Sequence, residues 1–259
     1  MNPIKIIFFD VDGTLVDHAT GCISPKTFEA LHRLQENGYI TCLATGRSPA
    51  VFPNFGDFQF DAFCAFNGSL CYTKETTIHS TPLAKEDIRK VLENATAMGR
   101  PVSIATKHRL AANGSDEDLN DYYGLANATL VIADDFDRVC QEEDVYQIML
   151  GCRPADHDTV IRGAEGVKIV FSWDRAGDVI PVFSGKGVAI QKILDHFHLD
   201  ASQAMAFGDS NNDLQMFETV GTGIAMGNST EALKAIATDV CGPVSQDGIY
   251  HYCVDHGFI

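Results

Sequence analysis

Long apolar runs are missing from this 259-residue chain. The longest are strand-sized, far short of the roughly 20 residues that a membrane-spanning helix requires. No secretory leader is readable before the first strand, so triplets such as Asn113-Gly114-Ser115 carry no glycosylation signal. Positive charge is scarce: 19 Lys and Arg stand against 35 Asp and Glu, for a formal net charge of -16. Such a chain gains little from approaching nucleic acid, where cation release drives association, and anionic membranes repel it. None of the eight cysteines (Cys22, Cys42, Cys64, Cys71, Cys140, Cys152, Cys241 and Cys253) forms a C-x-x-C pair, which excludes a zinc ribbon. Cys42 and Cys64 sit inside apolar runs and read as small core residues. A reducing cytoplasm with free thiols is the expected setting. Internal repeats, low-complexity segments and a disordered composition are absent as well.

Three familiar site patterns also fail. None of the nine histidines opens an H-E-x-x-H metal site. Gly185-Lys186-Gly187 lacks the Ser or Thr that completes a phosphate-binding Walker loop, and Ile180 stands where its first glycine belongs. Gly221-Thr222-Gly223 lacks the third glycine of a dinucleotide fingerprint.

What is present is a strand-helix-strand rhythm at both ends of the chain. Ile4 to Phe9 is an apolar run interrupted only by Lys5, as expected of a parallel strand covered on both faces. A helix is predicted over 24–37, with Ser24 as N-cap, Pro25 in the first turn and Gly38 as stop. Strands follow at 40–44 and 62–66, and the rhythm resumes from Lys186 with strands at 204–207, 222–225 and 239–241. The expected fold class is α/β, a doubly wound parallel sheet of Rossmann-like type. Between these halves the pattern changes to short mixed strands and helices, read as an inserted α+β domain over 83–183. The core then comprises 1–82 and 184–259, with hinges near Thr81-Pro82 and Pro181-Val182.

Chemistry collects where the predicted strands end, which is where open α/β sheets bind ligands. Phe8-Phe9-Asp10-Val11-Asp12-Gly13-Thr14 places two carboxylates at i and i+2, on one side of an extended chain, before a glycine turn. The second strand delivers Thr45-Gly46-Arg47. The strand at 204–207 delivers Gly208-Asp209-Ser210-Asn211-Asn212-Asp213, and Lys186 opens a helix. Phosphoryl transfer needs a nucleophile, a cation and hydrogen-bond donors for phosphate oxygens, and these strand ends supply all three. If they converge, Asp10, Asp12 and Asp209 form a hard oxygen site suited to Mg²⁺, because so many adjacent acids do not stay ionised alone.

These motifs, in this order, resemble the haloacid dehalogenase-like phosphatases, in particular the Cof-type group with a subclass IIB cap. Asn67-Gly68 and the Ile180-Pro181 lead into Lys186 match that pattern too, and the resemblance covers the whole chain. It implies that Asp10 is the nucleophile and Asp12 the general acid/base. It implies that Thr45 holds the transferring phosphoryl group and that Lys186 offsets charge on Asp10 and phosphate. Mg²⁺ would then be held by Asp10, Asp209 and the backbone carbonyl of Asp12. Asp213 supports the site through water or Lys186, or else only complements a helix dipole. Asn212 is a candidate phosphate contact. Gly46, Arg47 and Asn67 are candidate substrate contacts, although Arg47 is equally read as paired with an acid and Asn67 as shaping the turn before Gly68.

The inserted domain is expected to act as a lid whose polar candidates are Lys107, His108, Arg109, Asn113, Asp174 and Arg175. The implied partner is a small phosphorylated metabolite, such as a sugar phosphate, a nucleotide or a phosphorylated cofactor. The implied assembly is a monomer or homodimer. A phosphotransferase or phosphomutase on the same scaffold is the nearest alternative, and a non-catalytic metabolite-binding regulator is the third. The second acid, Asp12, argues against a pure binder.

Overall fold

Four consecutive apolar residues, Ile6–Phe9 (β1), are fully buried, and they form the centre of the sheet. The computed structural model describes residues 3–125 and 128–259. The chain divides into two compact units. One comprises Met1–Gly46, Pro53–His79 and Gly185–Ile259; the other comprises Arg47–Phe52 and Ser80–Ser184. Two of the four breaks, after His79 and before Gly185, fall a few residues from the hinges read in the sequence; the two that bound 47–52 do not. Residues 47–52 group with the second unit, where Ser48 Oγ donates to the Thr106 carbonyl at 3.1 Å. No helix among the described residues is long and apolar enough to cross a membrane.

In the first unit, helix Pro25–Glu36 (α1) begins where the sequence predicts: the Thr27 amide donates to Ser24 Oγ at 3.0 Å, and Pro25 occupies the first turn. Strands Ile40–Ala44 (β2), Ala62–Ala65 (β3), Leu70–Tyr72 (β4) and Thr77–Ser80 (β5) follow. The second unit adds helix Lys85–Ala97 (α2), strands Val102–Thr106 (β6) and Leu110–Ala112 (β7), and helices Glu117–Leu125 (α3) and Phe136–Glu142 (α4). It ends with strands Val145–Gly151 (β8), Val167–Trp173 (β9) and Ala176–Pro181 (β10). The first unit resumes with helix Lys186–Phe197 (α5), strand Ala204–Gly208 (β11), helix Leu214–Thr219 (α6) and strand Thr222–Ala225 (β12). Helix Glu231–Ile236 (α7), strand Asp239–Val240 (β13) and helix Gly248–Asp255 (α8) close the chain.

The sheet that carries the site runs β13–β12–β11–β1–β2–β3–β4–β5. It is parallel from β13 to β3, and β4 pairs antiparallel with β3. Phe9 is in register with both Leu43 and Phe207, so β1, β2 and β11 end level with one another. Ile6 and Phe8 face one side of β1, where Ala189, Ile190, Ile193 and Leu194 of α5 pack with Met216 and Phe217 of α6. Phe9 faces the other side and stacks on Phe207 at 5.5 Å. Each such fully buried apolar side chain contributes roughly 1.5–3 kcal/mol by leaving water. The apolar run that predicts β1 is therefore also the packing that holds its carboxyl end rigid. The second unit is an antiparallel sheet, β9–β10–β8–β6–β7, whose core includes Ile88, Val91 and Ala95 of α2 and Phe136 and Val139 of α4.

One element lies outside the periodic pattern of the sequence. Helix α8 is held by tertiary contacts: Tyr252 packs edge-on against Phe207 at 5.7 Å, and just past the helix the Phe258 carbonyl accepts from Asn37 Nδ2 at 2.8 Å. An eight-residue helix with Tyr, Cys and Val inside it has little intrinsic helix preference, which is why propensity alone does not reveal it.

Candidate active site

Level strand ends bring the predicted acids together. Asp10 follows β1 directly, Asp209 follows β11, and Lys186 opens α5. Lys186 is 1% exposed, and its Nζ donates to Asp10 Oδ1 and to Asp213 Oδ1, both at 2.6 Å. Asp213 is held from its other oxygen: the backbone amides of Asp209 and Ser210 donate to Oδ2 at 3.0 and 3.1 Å. It therefore ties Lys186 to the β11 loop, rather than merely complementing a helix end. Thr14 Oγ1 donates to Asp209 Oδ1 at 3.2 Å, which joins the loop after β1 to the loop after β11.

Carboxylate oxygens of Asp10, Asp209 and Asp213 lie within 4.8 Å of one another. The Asp12 carboxylate is not one of this trio: the sequence groups Asp10, Asp12 and Asp209 as the metal site, with Asp12 entering through its backbone carbonyl in the family resemblance, whereas the clustered carboxylates are those of Asp10, Asp209 and Asp213. Burial pushes Asp10 up to about 7, reinforced by Asp213 and Asp12 and opposed by Lys186. Burial, with Asp10 and Asp213 beside it, pushes Asp209 up to about 9. Burial pushes the Lys186 ammonium down, but Asp10 and Asp213 overturn this and hold it above its usual value. With all four groups charged, three carboxylates face one ammonium. The set has hard oxygen donors and an excess of negative charge, which is the chemistry a Mg²⁺ ion fits. Asp213 already spends both oxygens on Lys186 and backbone amides, so Asp10 and Asp209 are the available ligands.

Gly13 is required on two counts. Its φ is +82°, and a Cβ there would lie 2.3 Å from Asp209 Oδ2. Gly46 backs onto Asn67, where an added Cβ would meet Nδ2 at 2.9 Å. Thr45 is buried at the end of β2; its amide donates to the Cys64 carbonyl at 2.9 Å and its carbonyl accepts from the Asn67 amide at 3.0 Å. Asn67 holds a left-handed backbone, φ +52°, and its Oδ1 accepts from Asn212 Nδ2 at 3.3 Å. The Asn212 side chain also accepts from Ser210 Oγ at 2.6 Å. Thr45, Gly46, Asn67 and Asn212 thus belong to one linked region of the first unit.

Arg47 does not belong to that unit. It lies in the second, where its guanidinium donates to the Val51 carbonyl at 3.1 Å. Several polar residues singled out in the inserted domain are engaged within it. Arg109 pairs with Asp135 and Glu143, Asn113 Oδ1 accepts from the Val102 amide, and Arg175 binds Asp118. The sequence reading did not single out the loop after β12. There Asn228 Nδ2 donates to the Gly13 carbonyl at 2.8 Å, and the Thr230 amide donates to the Asp209 carbonyl at 2.9 Å. The available signal was topological: β12 is a further parallel strand that ends next to β11.

A doubly wound sheet with these acids at its strand ends defines a hydrolase of the haloacid dehalogenase-like family, and the chain belongs to it: that family's model matches residues 7–253. The chain is 31% identical over 256 residues to the putative phosphatase YkrA of Bacillus subtilis strain 168, covering 98% of each chain. It is 28% identical to the HMP-PP phosphatase of Klebsiella pneumoniae strain 342, over 89% of this chain and 87% of the relative. Among solved structures it resembles the HAD subclass IIB sugar phosphatase BT4131, with a TM-score of 0.89 and 27% identity over 98% of this chain and 100% of the other.

Proposed function

We propose that the chain is a Mg²⁺-dependent phosphatase that hydrolyses a small phosphorylated metabolite through an aspartyl-phosphate on Asp10. The observation that carries this reading is the Lys186 bridge, 2.6 Å to Asp10 and 2.6 Å to Asp213, beside Asp209. An ammonium fixed on one carboxylate oxygen orients that carboxylate and lowers the barrier to bringing up an anionic substrate. The similarity to a sugar phosphatase and to an HMP-PP phosphatase supports a phosphorylated small molecule as substrate.

In this reading an Asp10 oxygen attacks phosphorus while the bond to the leaving oxygen breaks. Asp12 gives its proton to that oxygen, so the leaving group departs as an alcohol. Asp12, now a carboxylate, takes a proton from water. The water oxygen attacks phosphorus, inorganic phosphate leaves, and Asp10 is regenerated. Thr45 and Asn212 donate hydrogen bonds to the phosphoryl oxygens. Lys186 offsets the charge that gathers on Asp10 and the phosphoryl group. A bound Mg²⁺ supplies the further positive charge that lets Asp10 and Asp209 stay ionised. All of these groups lie in the first unit, and the reading takes residues 1–82 and 184–259 as the catalytic core and 83–183 as an inserted cap.

The test is phosphate release from a panel of phosphorylated metabolites, with Mg²⁺ and with EDTA. Metal-dependent release from a few related compounds is expected. Full activity in EDTA overturns the metal assignment, and release from none of the compounds overturns the phosphatase reading.

A further inference from the structure

The loop between β12 and α7 makes no chemistry of its own, yet it is bonded to both acid-bearing loops. Asn228 spans it like a clamp. Its Nδ2 donates to the Gly13 carbonyl at 2.8 Å, and its Oδ1 accepts from the Val244 amide at 2.9 Å. The same loop is anchored on the other side: the Met226 amide donates to the Gly208 carbonyl, and the Thr230 amide to the Asp209 carbonyl, each at 2.9 Å. Thr230 Oγ1 donates to Asn211 Oδ1 at 3.1 Å.

The Gly13 carbonyl belongs to the peptide unit that leads into Thr14. The amide of that unit donates to the Val11 carbonyl at 3.3 Å, and the Thr14 hydroxyl donates to Asp209 at 3.2 Å. Gly13 is in the left-handed region and touches Asp209, with no side chain to fix the turn sterically. The turn is closed by its own backbone, since the Gly13 amide donates to the Val16 carbonyl at 2.9 Å and the Leu15 and Val16 amides donate to the Val11 carbonyl at 2.9 and 2.8 Å, but these bonds leave the outward-facing Gly13 carbonyl to a partner from elsewhere in the chain. Asn228 supplies that partner and so ties the closed turn to the loop after β12. Val244 holds the other end of the amide, so the Asn228 side chain cannot swing away without losing both bonds.

We infer that Asn228 is a positioning residue: it locks the Gly13 turn, and through it holds the Asp12 acid in line with Asp10 and Asp209. The inference rests on the assignment of Asp12 as general acid/base. Outer partners of this kind typically change activity by about 10–100-fold when removed.

The discriminating variant is Asn228→Asp. It keeps the shape and the acceptor for Val244, and it removes the donor to Gly13. Turnover of para-nitrophenyl phosphate with excess Mg²⁺ is compared in the wild type, Asn228→Asp and Asp12→Asn, together with thermal unfolding. The expected result is a kcat about 10–100-fold lower in Asn228→Asp, with KM and the unfolding midpoint close to wild type. Unchanged kcat, a KM effect alone, or a loss that tracks a collapsed unfolding midpoint overturns the inference while leaving the Asp12 assignment intact. Wild-type turnover in Asp12→Asn overturns that assignment and this inference with it. If Asn228→Asp does not fold, Asn228→Ala puts no carboxylate against the Gly13 carbonyl and is read by the same criteria.

Discussion

Each unit of the protein gathers arginines or lysines around buried acids, but the two clusters have opposite character. In the second unit Asp118 is 8% exposed and is met by three guanidinium groups: Arg100 at 3.2 Å, Arg153 at 3.0 Å and Arg175 at 2.7 Å. Burial pushes its carboxyl up, but Arg153 and Arg175 overturn that and hold it below its usual value. Arg175 also lies over the Trp173 ring at 4.8 Å. In the first unit three buried carboxylates share the single ammonium of Lys186, and Asp10 and Asp209 are both held above their usual values. A charge surrounded by its opposites is at rest and serves the fold. Buried charges left in excess cost free energy unless something charged arrives, and such imbalance marks a site that takes a cation and a substrate.

The contrast can be tested from both sides. The largest expected effect is in Asp10→Asn, where turnover falls by roughly 10⁴-fold or more while the protein stays folded, because the covalent route is gone. Phosphate release under excess Mg²⁺ measures this, and near-normal release refutes the mechanism. Next, Lys186→Met removes the one cation among three acids. Turnover should drop by about 10²–10³-fold, the range seen when a preorganised charge-stabilising group is lost. The metal-free variant should also unfold more readily than metal-free wild type as pH rises, and an unchanged pH response would show that the bridge is dispensable.

Asp118→Asn in the other cluster should do the reverse. Turnover should stay within about threefold of wild type. Stability should fall by about 1–2 kcal/mol, a figure reduced because the arginines are 30–44% exposed to screening water. Denaturant midpoints and steady-state rates separate these outcomes, and a selective loss of turnover would dissolve the comparison.

The smallest effect is in pH dependence. Without metal, native Asp10 and Asp209 keep protons that the unfolded chain has lost above about pH 4, so stability should fall as pH rises toward about 7 and then about 9. Mg²⁺ should remove most of that slope by favouring the ionised acids. Asp118 has the opposite sign: its contribution is present above the ordinary carboxylate range and is lost only as pH falls below it. Thermal unfolding across pH in EDTA and in Mg²⁺ reads both, and a metal-free midpoint that rises between about pH 5 and pH 9 contradicts the assignment.

Much of the fold could be read because its elements follow local rules. The strands at 40–44 and 222–225 coincide with their apolar runs, and α1 begins at its Ser24-Pro25 signal. The acids could be read because each sits one step beyond such a run. Arg47 illustrates the limit: it directly follows Thr45-Gly46, yet it groups with the other unit through residues 47–52. Helix α8 and the Asn228 clamp were likewise invisible, since both depend on partners far away in the chain.

The sequence by itself determined which residues carry charge, where β1, β2 and β11 end, and that Asp10, Asp12, Lys186 and Asp209 stand at strand or helix termini. Only the tertiary structure decided that Lys186 bridges Asp10 and Asp213, that Thr14 and Asn228 tie the acid loops together, and that the cluster is short of positive charge. The physical reason is range. Strand and helix signals act over a few neighbouring residues, whereas the Lys186–Asp10 contact joins positions 176 apart, through the packing of the sheet against α5.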